Sequence, residues 1–107
     1  MIVQPNGDIT IRKGNSEVLS LSSSDIGDCT AHTWTCNVRA AGSDTLIFAA
    51  TVAAVNSTSI TVTMSAVQTA LLSVTSSVNK YEYALHYVSG STAKTLICQN
   101  VTVLEGI

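Results

Sequence analysis

The sequence predicts an all-β fold, an antiparallel sandwich of about seven strands with one short helix near residues 65–72. Three observations predict it. Ser and Thr number 14 each and Val 12 among 107 residues, and β-branched Val and Thr suit a pleated, half-buried surface. Apolar and polar residues alternate with a period of two over much of the chain, as side chains do on a strand with one buried face. Turn residues punctuate these runs every ~8–12 residues, the spacing of a sandwich or barrel.

Taken in order, residues 1–7 form an N-terminal arm or an edge strand, and residues 8–107 a single β-sandwich domain, since roughly 100–200 residues make one domain. Residues 8–13 and 17–21 read as short strands separated by a turn at Gly14-Asn15. In residues 33–40, Trp34, Cys36, Val38 and Ala40 share one face, and Thr33, Thr35, Asn37 and Arg39 the other. Residues 45–55 are apolar on both parities, which predicts a strand covered on both sides. Asn56-Ser57-Thr58 is a turn, after which Ile60, Val62 and Met64 alternate with Thr61 and Thr63. Ser65-Ala66-Val67-Gln68 has the form of a capping box. Val67, Ala70 and Leu71 follow at helical spacing and predict an apolar stripe one or two turns long. Tyr81, Tyr83, Leu85 and Tyr87 share a face opposite Glu82, Ala84, His86 and Val88. Ser89-Gly90-Ser91 is a tight hairpin turn in which Gly supplies a positive φ, and residues 95–103 return as the partner strand. The alternation there changes phase near Gln99-Asn100, which predicts a β-bulge. Trp34, Val38, Phe48, Val62, Tyr83 and Leu85 are expected in or near the core. About seven strands with one linking helix suggest an immunoglobulin-like sandwich, without the Cys–Trp–Cys spacing of antibody domains.

Charge excludes several partners. Only 11% of residues are charged and the net charge is −2. The five basic residues Arg12, Lys13, Arg39, Lys80 and Lys94 are scattered, whereas a nucleic-acid reader needs a basic patch or stripe. Apolar runs such as Val52-Ala53-Ala54-Val55 fall far short of the ~20 residues of a spanning helix. A barrel of about eight strands of about ten residues would consume nearly the whole chain. No signal-peptide pattern opens the sequence. No nucleic acid and no membrane are expected as partners, and the chain is expected to fold in the cytoplasm.

Chemistry-bearing residues are few. Cys29, His32 and Cys36 are the one cluster of metal-ligand types, and on a helix their spacing would align them. The segment is Thr-rich and alternating, so it reads as extended, with the two cysteines roughly 23 Å apart at ~3.3 Å per residue. Zinc needs each ligand within ~2.3 Å of one point, so no metal is expected. Asp25 and Asp28 flank Ile26-Gly27, but two carboxylates fall short of the roughly six to eight ligands of calcium, and they read as turn residues. His86 reads as a solvated surface residue. Neither a Gly-x-Ser-x-Gly elbow nor a Gly-rich phosphate loop occurs. No catalytic residue and no cofactor are therefore assigned. The odd count of Cys29, Cys36 and Cys98 reads as small buried hydrophobes with free thiols, with a Cys36–Cys98 bridge or an intersubunit crosslink as alternatives. The sequons at Asn56 and Asn100 have meaning only on export.

The order of these pieces resembles small tailed-phage structural proteins with an immunoglobulin-like fold, including the N-terminal domain family of baseplate upper proteins and small capsid cement proteins. The matching pieces are Ile11-Arg12-Lys13-Gly14-Asn15, the Ser24-Asp25-Ile26-Gly27-Asp28 loop before a strand ending Val38-Arg39, and the run from Ile60 through Ser65-Ala66-Val67-Gln68-Thr69-Ala70-Leu71. Tyr81-Glu82-Tyr83-Ala84-Leu85 and Val101-Thr102-Val103 complete it. Relatives often carry Tyr-Asp where this chain has Tyr83-Ala84. The resemblance implies a non-enzymatic virion component made in the cytoplasm of a bacterial host. It would act as a capsid cement or decoration protein whose partners are the major capsid protein and copies of itself in a homo-oligomer. The other placement is a tail, neck or baseplate adaptor bound to tail or baseplate proteins.

Open sheet edges pair with strands from neighbours unless guarded by charge or proline, and both ends of this chain are apolar. Ile2, Val3 and Gln4 at one end, with Leu104 and Ile107 at the other, are the expected partner-binding residues. The N-terminal arm either adds as a strand to a neighbouring subunit or pairs within its own domain across Asn6-Gly7.

Overall fold

The computed structural model describes residues 1–22, 27–43, 45–73 and 81–105. It is all-β, with strands β1 (Ile2–Val3), β2 (Ile9–Arg12), β3 (Glu17–Ser22), β4 (Thr33–Ala40), β5 (Leu46–Asn56), β6 (Ser59–Met64), β7 (Tyr81–Ser89) and β8 (Thr92–Leu104). One 3-10 turn, Cys29–Ala31, precedes β4, and one helical turn, α1 (Ala66–Thr69), follows β6. No helix among the described residues is long and apolar enough to cross a membrane.

The strands form one eight-stranded sheet in the order β1-β2-β8-β7-β4-β5-β6-β3. The sheet curls because β5 serves two neighbours in succession. Its residues 46–50 pair with β4, and its residues 51–56 pair with β6. The result is sandwich-like, with β1, β2, β8, β7 and β4 in one layer and β6 and β3 in the other. Ile9, Ile11, Val38, Tyr83, Leu85, Val101 and Val103 from the first layer meet Leu19, Ile60, Val62 and Met64 from the second in one buried core. Burying each such side chain is worth about 1.5–3 kcal/mol.

Several details depart from the sequence pattern. Eight strands form rather than about seven, and the sheet is mixed rather than wholly antiparallel, because β2 runs parallel to β8 with Ile9 opposite Val101 and Arg12 opposite Leu104. Residues 45–55 are not covered on both sides. Phe48 and Ala50 are buried, while Leu46, Ala49, Ala53, Ala54 and Val55 are exposed. A strand that turns the corner between layers has an inside and an outside, so its apolar second face meets solvent.

The bulge in β8 lies at Leu96 and not at Gln99-Asn100. Leu85 opposes Ile97 and His86 opposes Thr95, leaving Leu96 without a cross-strand partner. From there Ile97, Gln99 and Val101 fall in the rows of Leu85, Tyr83 and Tyr81 on the inner side, Val103 is buried beyond them opposite Ile11, and Cys98 turns outward. In α1 the capping box forms, Ser65 Oγ accepting from Gln68 N at 3.1 Å and Gln68 Oε1 accepting from Ser65 N at 3.0 Å. The expected stripe of Val67, Ala70 and Leu71 is exposed, however, and Thr69 and Leu72 are buried instead. Polar tethers decide that orientation: Thr69 Oγ1 donates to the Asn15 carbonyl at 2.8 Å, and Lys13 Nζ to the Leu72 carbonyl at 2.6 Å.

Candidate interaction surface

The two ends of the curled sheet, β1 and β3, lie close to each other. The Met1 amino group stands 2.9 Å from the Glu17 carboxylate, at a small hollow of about 70 Å³ lined also by Ile2, Thr10, Arg12 and Leu104. The structure thus brings together Ile2 and Leu104, two of the partner-binding residues named from the sequence. Ile2 and Val3 are half exposed, and they pair antiparallel with Thr10 and Ile9 of their own sheet. The arm is therefore held within the domain. Gln4 is exposed at the turn that follows, its N–H donating to the Asp8 carbonyl at 2.8 Å. Leu104 is half-buried opposite Arg12. Ile107 lies outside the described residues.

The β1–β2 turn is tied to the core. Tyr83, buried on β7, donates its hydroxyl hydrogen to the Gly7 carbonyl. Gly7 has a φ of 96°, and a Cβ there would stand 3.1 Å from Gln99 Cγ, so glycine fits both the conformation and the space. Asp8 Oδ1 accepts from the Asn100 N–H at 3.1 Å, continuing the β2–β8 pairing by one side chain.

Beyond that turn the layers part around a mainly apolar hollow of about 210 Å³, lined by Leu21, Ile60, Trp34, Leu96 and Ile97 among others. This is below the ~300–1,000 Å³ of small-molecule sites. At its wall Trp34 Nε1 donates to the Cys29 carbonyl at 2.9 Å. The His32 ring stacks on Tyr87 at 4.8 Å, and Trp34 lies 5.3 Å from Tyr87. Aromatic packing accounts for His32 here.

The remaining candidates from the sequence are dispersed. Cys29 is in the 3-10 turn rather than in an extended segment, and Cys36 is buried opposite Leu85. Among the described residues no three His, Cys, Asp or Glu side chains converge on a point that could hold a metal ion. Asp28 caps the 3-10 turn, and hydrogen bonds from the Thr30 hydroxyl and N–H hold its carboxyl below the usual range; Asp25 lies outside the described residues. His86 Nδ1 is 2.9 Å from Thr95 Oγ1, while Glu82 accepts from Arg39 Nε at 2.7 Å. Cys98 is exposed rather than buried, and Arg39 Nη2 lies 3.6 Å from its Sγ. Cys36 and Cys98 occupy opposite faces of the sheet, which excludes a bridge between them: Cys36 shares a row with Leu85 and Ile97, Cys98 with Ala84 and Asn37.

Sequence reasoning placed the contact surface at the chain ends and passed over β3. Among the described residues, that strand forms the other end of the sheet and pairs with β6 alone. Its signal was legible in Glu17-Val18-Leu19-Ser20-Leu21-Ser22, an alternating run with no Lys, Arg or Pro to guard an edge. The outer face beside it carries Ser20, Ser22, Ser59, Thr61 and Thr63, and Ser22 Oγ is 3.1 Å from Ser59 Oγ. No protein-family model matches the chain, and no curated protein matches it.

Proposed function

We propose that the chain is a non-enzymatic structural protein of a tailed-phage virion, a capsid cement or decoration protein of immunoglobulin-like type that joins neighbouring copies of the major capsid protein. The observation that carries this reading is the surface around β3, an open sheet edge bordered by hydroxyls and nearly devoid of charge. Such a surface suits attachment by backbone pairing and apolar contact rather than by ionic steering. The resemblance in the order of strands, capping-box helix and Tyr-x-Tyr strand supports the virion assignment. Repetition on a shell also lets weak single contacts add up to firm attachment.

Quantitative mass spectrometry of purified particles, referenced to the major capsid protein, tests the reading. On the order of hundreds of copies per particle, as a shell-wide multivalent array requires, supports cement. Roughly six or twelve, the count of a symmetric ring, points to a neck, tail or baseplate adaptor instead. Absence from the particle overturns both.

A further inference from the structure

We propose that β3 is a docking edge for a second copy of this chain, the strand pairing antiparallel with its own image across a two-fold axis at Ser20. The other free edges among the described residues are blunted or partly covered. On β5, Gln68 Nε2 donates to the Ala49 carbonyl at 2.9 Å beside residues 46–50, and a register shift between Ala54 and Asn56 interrupts the open side of residues 51–56. β1 has two residues and is followed closely by Pro5. The part of β8 beyond β2 carries Lys94 and the bulge at Leu96. Short strands, proline, lysine and bulges are the devices that keep edges from pairing. β3 carries one charge, the inward-facing Glu17 at its first position, and past it none of these devices: its residues run in unbroken register against β6, from Glu17 opposite Met64 to Ser22 opposite Ser59. In an antiparallel ladder alternate residues direct both N–H and C=O away from the existing partner, so this edge offers a ready row of donors and acceptors.

The row pattern selects the occupant. A two-fold axis perpendicular to the sheet keeps the inner faces of both copies on the same side, so opposed residues share parity. With the axis at Ser20, Leu19 faces the partner's Leu21, Val18 faces the partner's Ser22, and the Ser20 side chains face each other. Glu17, the strand's only charge, falls outside the opposed positions and keeps its ion pair with the Met1 amino group. An axis at Leu19 would set Glu17 against the partner's Leu21, a carboxylate in an aliphatic row. A charged partner strand finds no countercharge along the opposed positions 18–22, whereas a second copy meets only aliphatic and hydroxyl groups. The pairing makes the β5–β6–β3 layer continuous across two molecules. It requires only the chain itself and uses the same edge that carries the proposed function, so the β3 variants in solution test the self-pairing while the copy number per particle tests the virion reading.

Sedimentation velocity on the full chain, from about 10 μM to about 1 mM, covers the affinity of so small an interface. The wild-type chain is expected to show a concentration-dependent monomer–dimer equilibrium. Ser20 is exposed, so Ser20→Lys and Ser20→Glu should fold normally by circular dichroism. Each should self-associate at least about tenfold more weakly, because like charges then face each other across the axis. An equimolar mixture of the two should recover the dimer. If either variant melts early, Val18→Lys, at another exposed position of the same strand, should give the same loss. A wild-type chain that stays monomeric, variants that dimerise like wild type, or a mixture that stays monomeric overturns the proposal.

Discussion

Tyr83 joins the middle of the sheet to the turn before β2, so one hydroxyl couples positions 76 residues apart. Tyr83→Phe keeps the buried ring and removes the donor to the Gly7 carbonyl; the expected loss is about 1–2 kcal/mol, read from urea melts. Alkali reports on the same group. Burial, ahead of the nearby acidic groups, pushes the Tyr83 phenol from 10.0 up to about 12, and burial pushes the Cys36 thiol from 9.0 up to about 12. Both are raised in the folded state, so their neutral forms favour folding below pH 9, and that stability drains as pH rises toward 12. Melts along this range should show the decline, and Tyr83→Phe should flatten the part above about pH 10. Thiol titration distinguishes the three cysteines: only Cys98 should react in the native state, with Cys29 and Cys36 following in denaturant. That assignment was not legible in the sequence. Cys98 has the parity of Leu96, and only the bulge at Leu96 turns it outward.

Among the elements, α1 shows how local chemistry can be read from sequence when its packing cannot. The Ser65–Gln68 box depends on two backbone groups three residues apart, so it was visible in four letters. The buried face depends on Lys13 and Asn15, far away in sequence, and the aliphatic spacing of Val67 and Leu71 pointed to the wrong side. Ser65→Ala should therefore cost about 1 kcal/mol through loss of the cap. Val67→Ser should change the melting temperature little, because surface substitutions usually stay within about 0.5 kcal/mol. Gly7→Ala, in the β1–β2 turn, meets both a φ of 96° and the Gln99 side chain, and a loss of about 1–2 kcal/mol or more is expected. Strand boundaries were largely legible because they follow a period-two pattern and turn residues. The parallel β2–β8 pairing was not, since nothing local to residues 9–12 indicates a neighbour near residue 101.

At the scale of the whole molecule, a net charge of −2 and few ionic groups leave little for salt to screen. Any self-association through β3 should persist when ionic strength is raised to about 1 M, where screening extends only ~3 Å. Sedimentation at low and high salt checks this, and dissociation by salt alone would place charge rather than strand pairing at the contact.

The β2–β8 pairing also sets a clock for biosynthesis. β8 lies inside the sheet, between β2 and β7, yet Asp8 and the Asn100 amide it binds are 92 positions apart. At roughly 5–20 residues per second, a ribosome takes about 5–18 s to pass from one to the other. Through that interval β2 has only β1 as a strand partner, and the inner row of β7 is missing one neighbour. The nascent chain can assemble β4, β5 and β6 as it emerges, but the first layer closes only after β8 has cleared the exit tunnel. A ribosome arrested before Gln99 should hold a chain that is open to protease, and one arrested on an appended C-terminal linker long enough to carry Leu104 out of the tunnel should hold a chain that resists it.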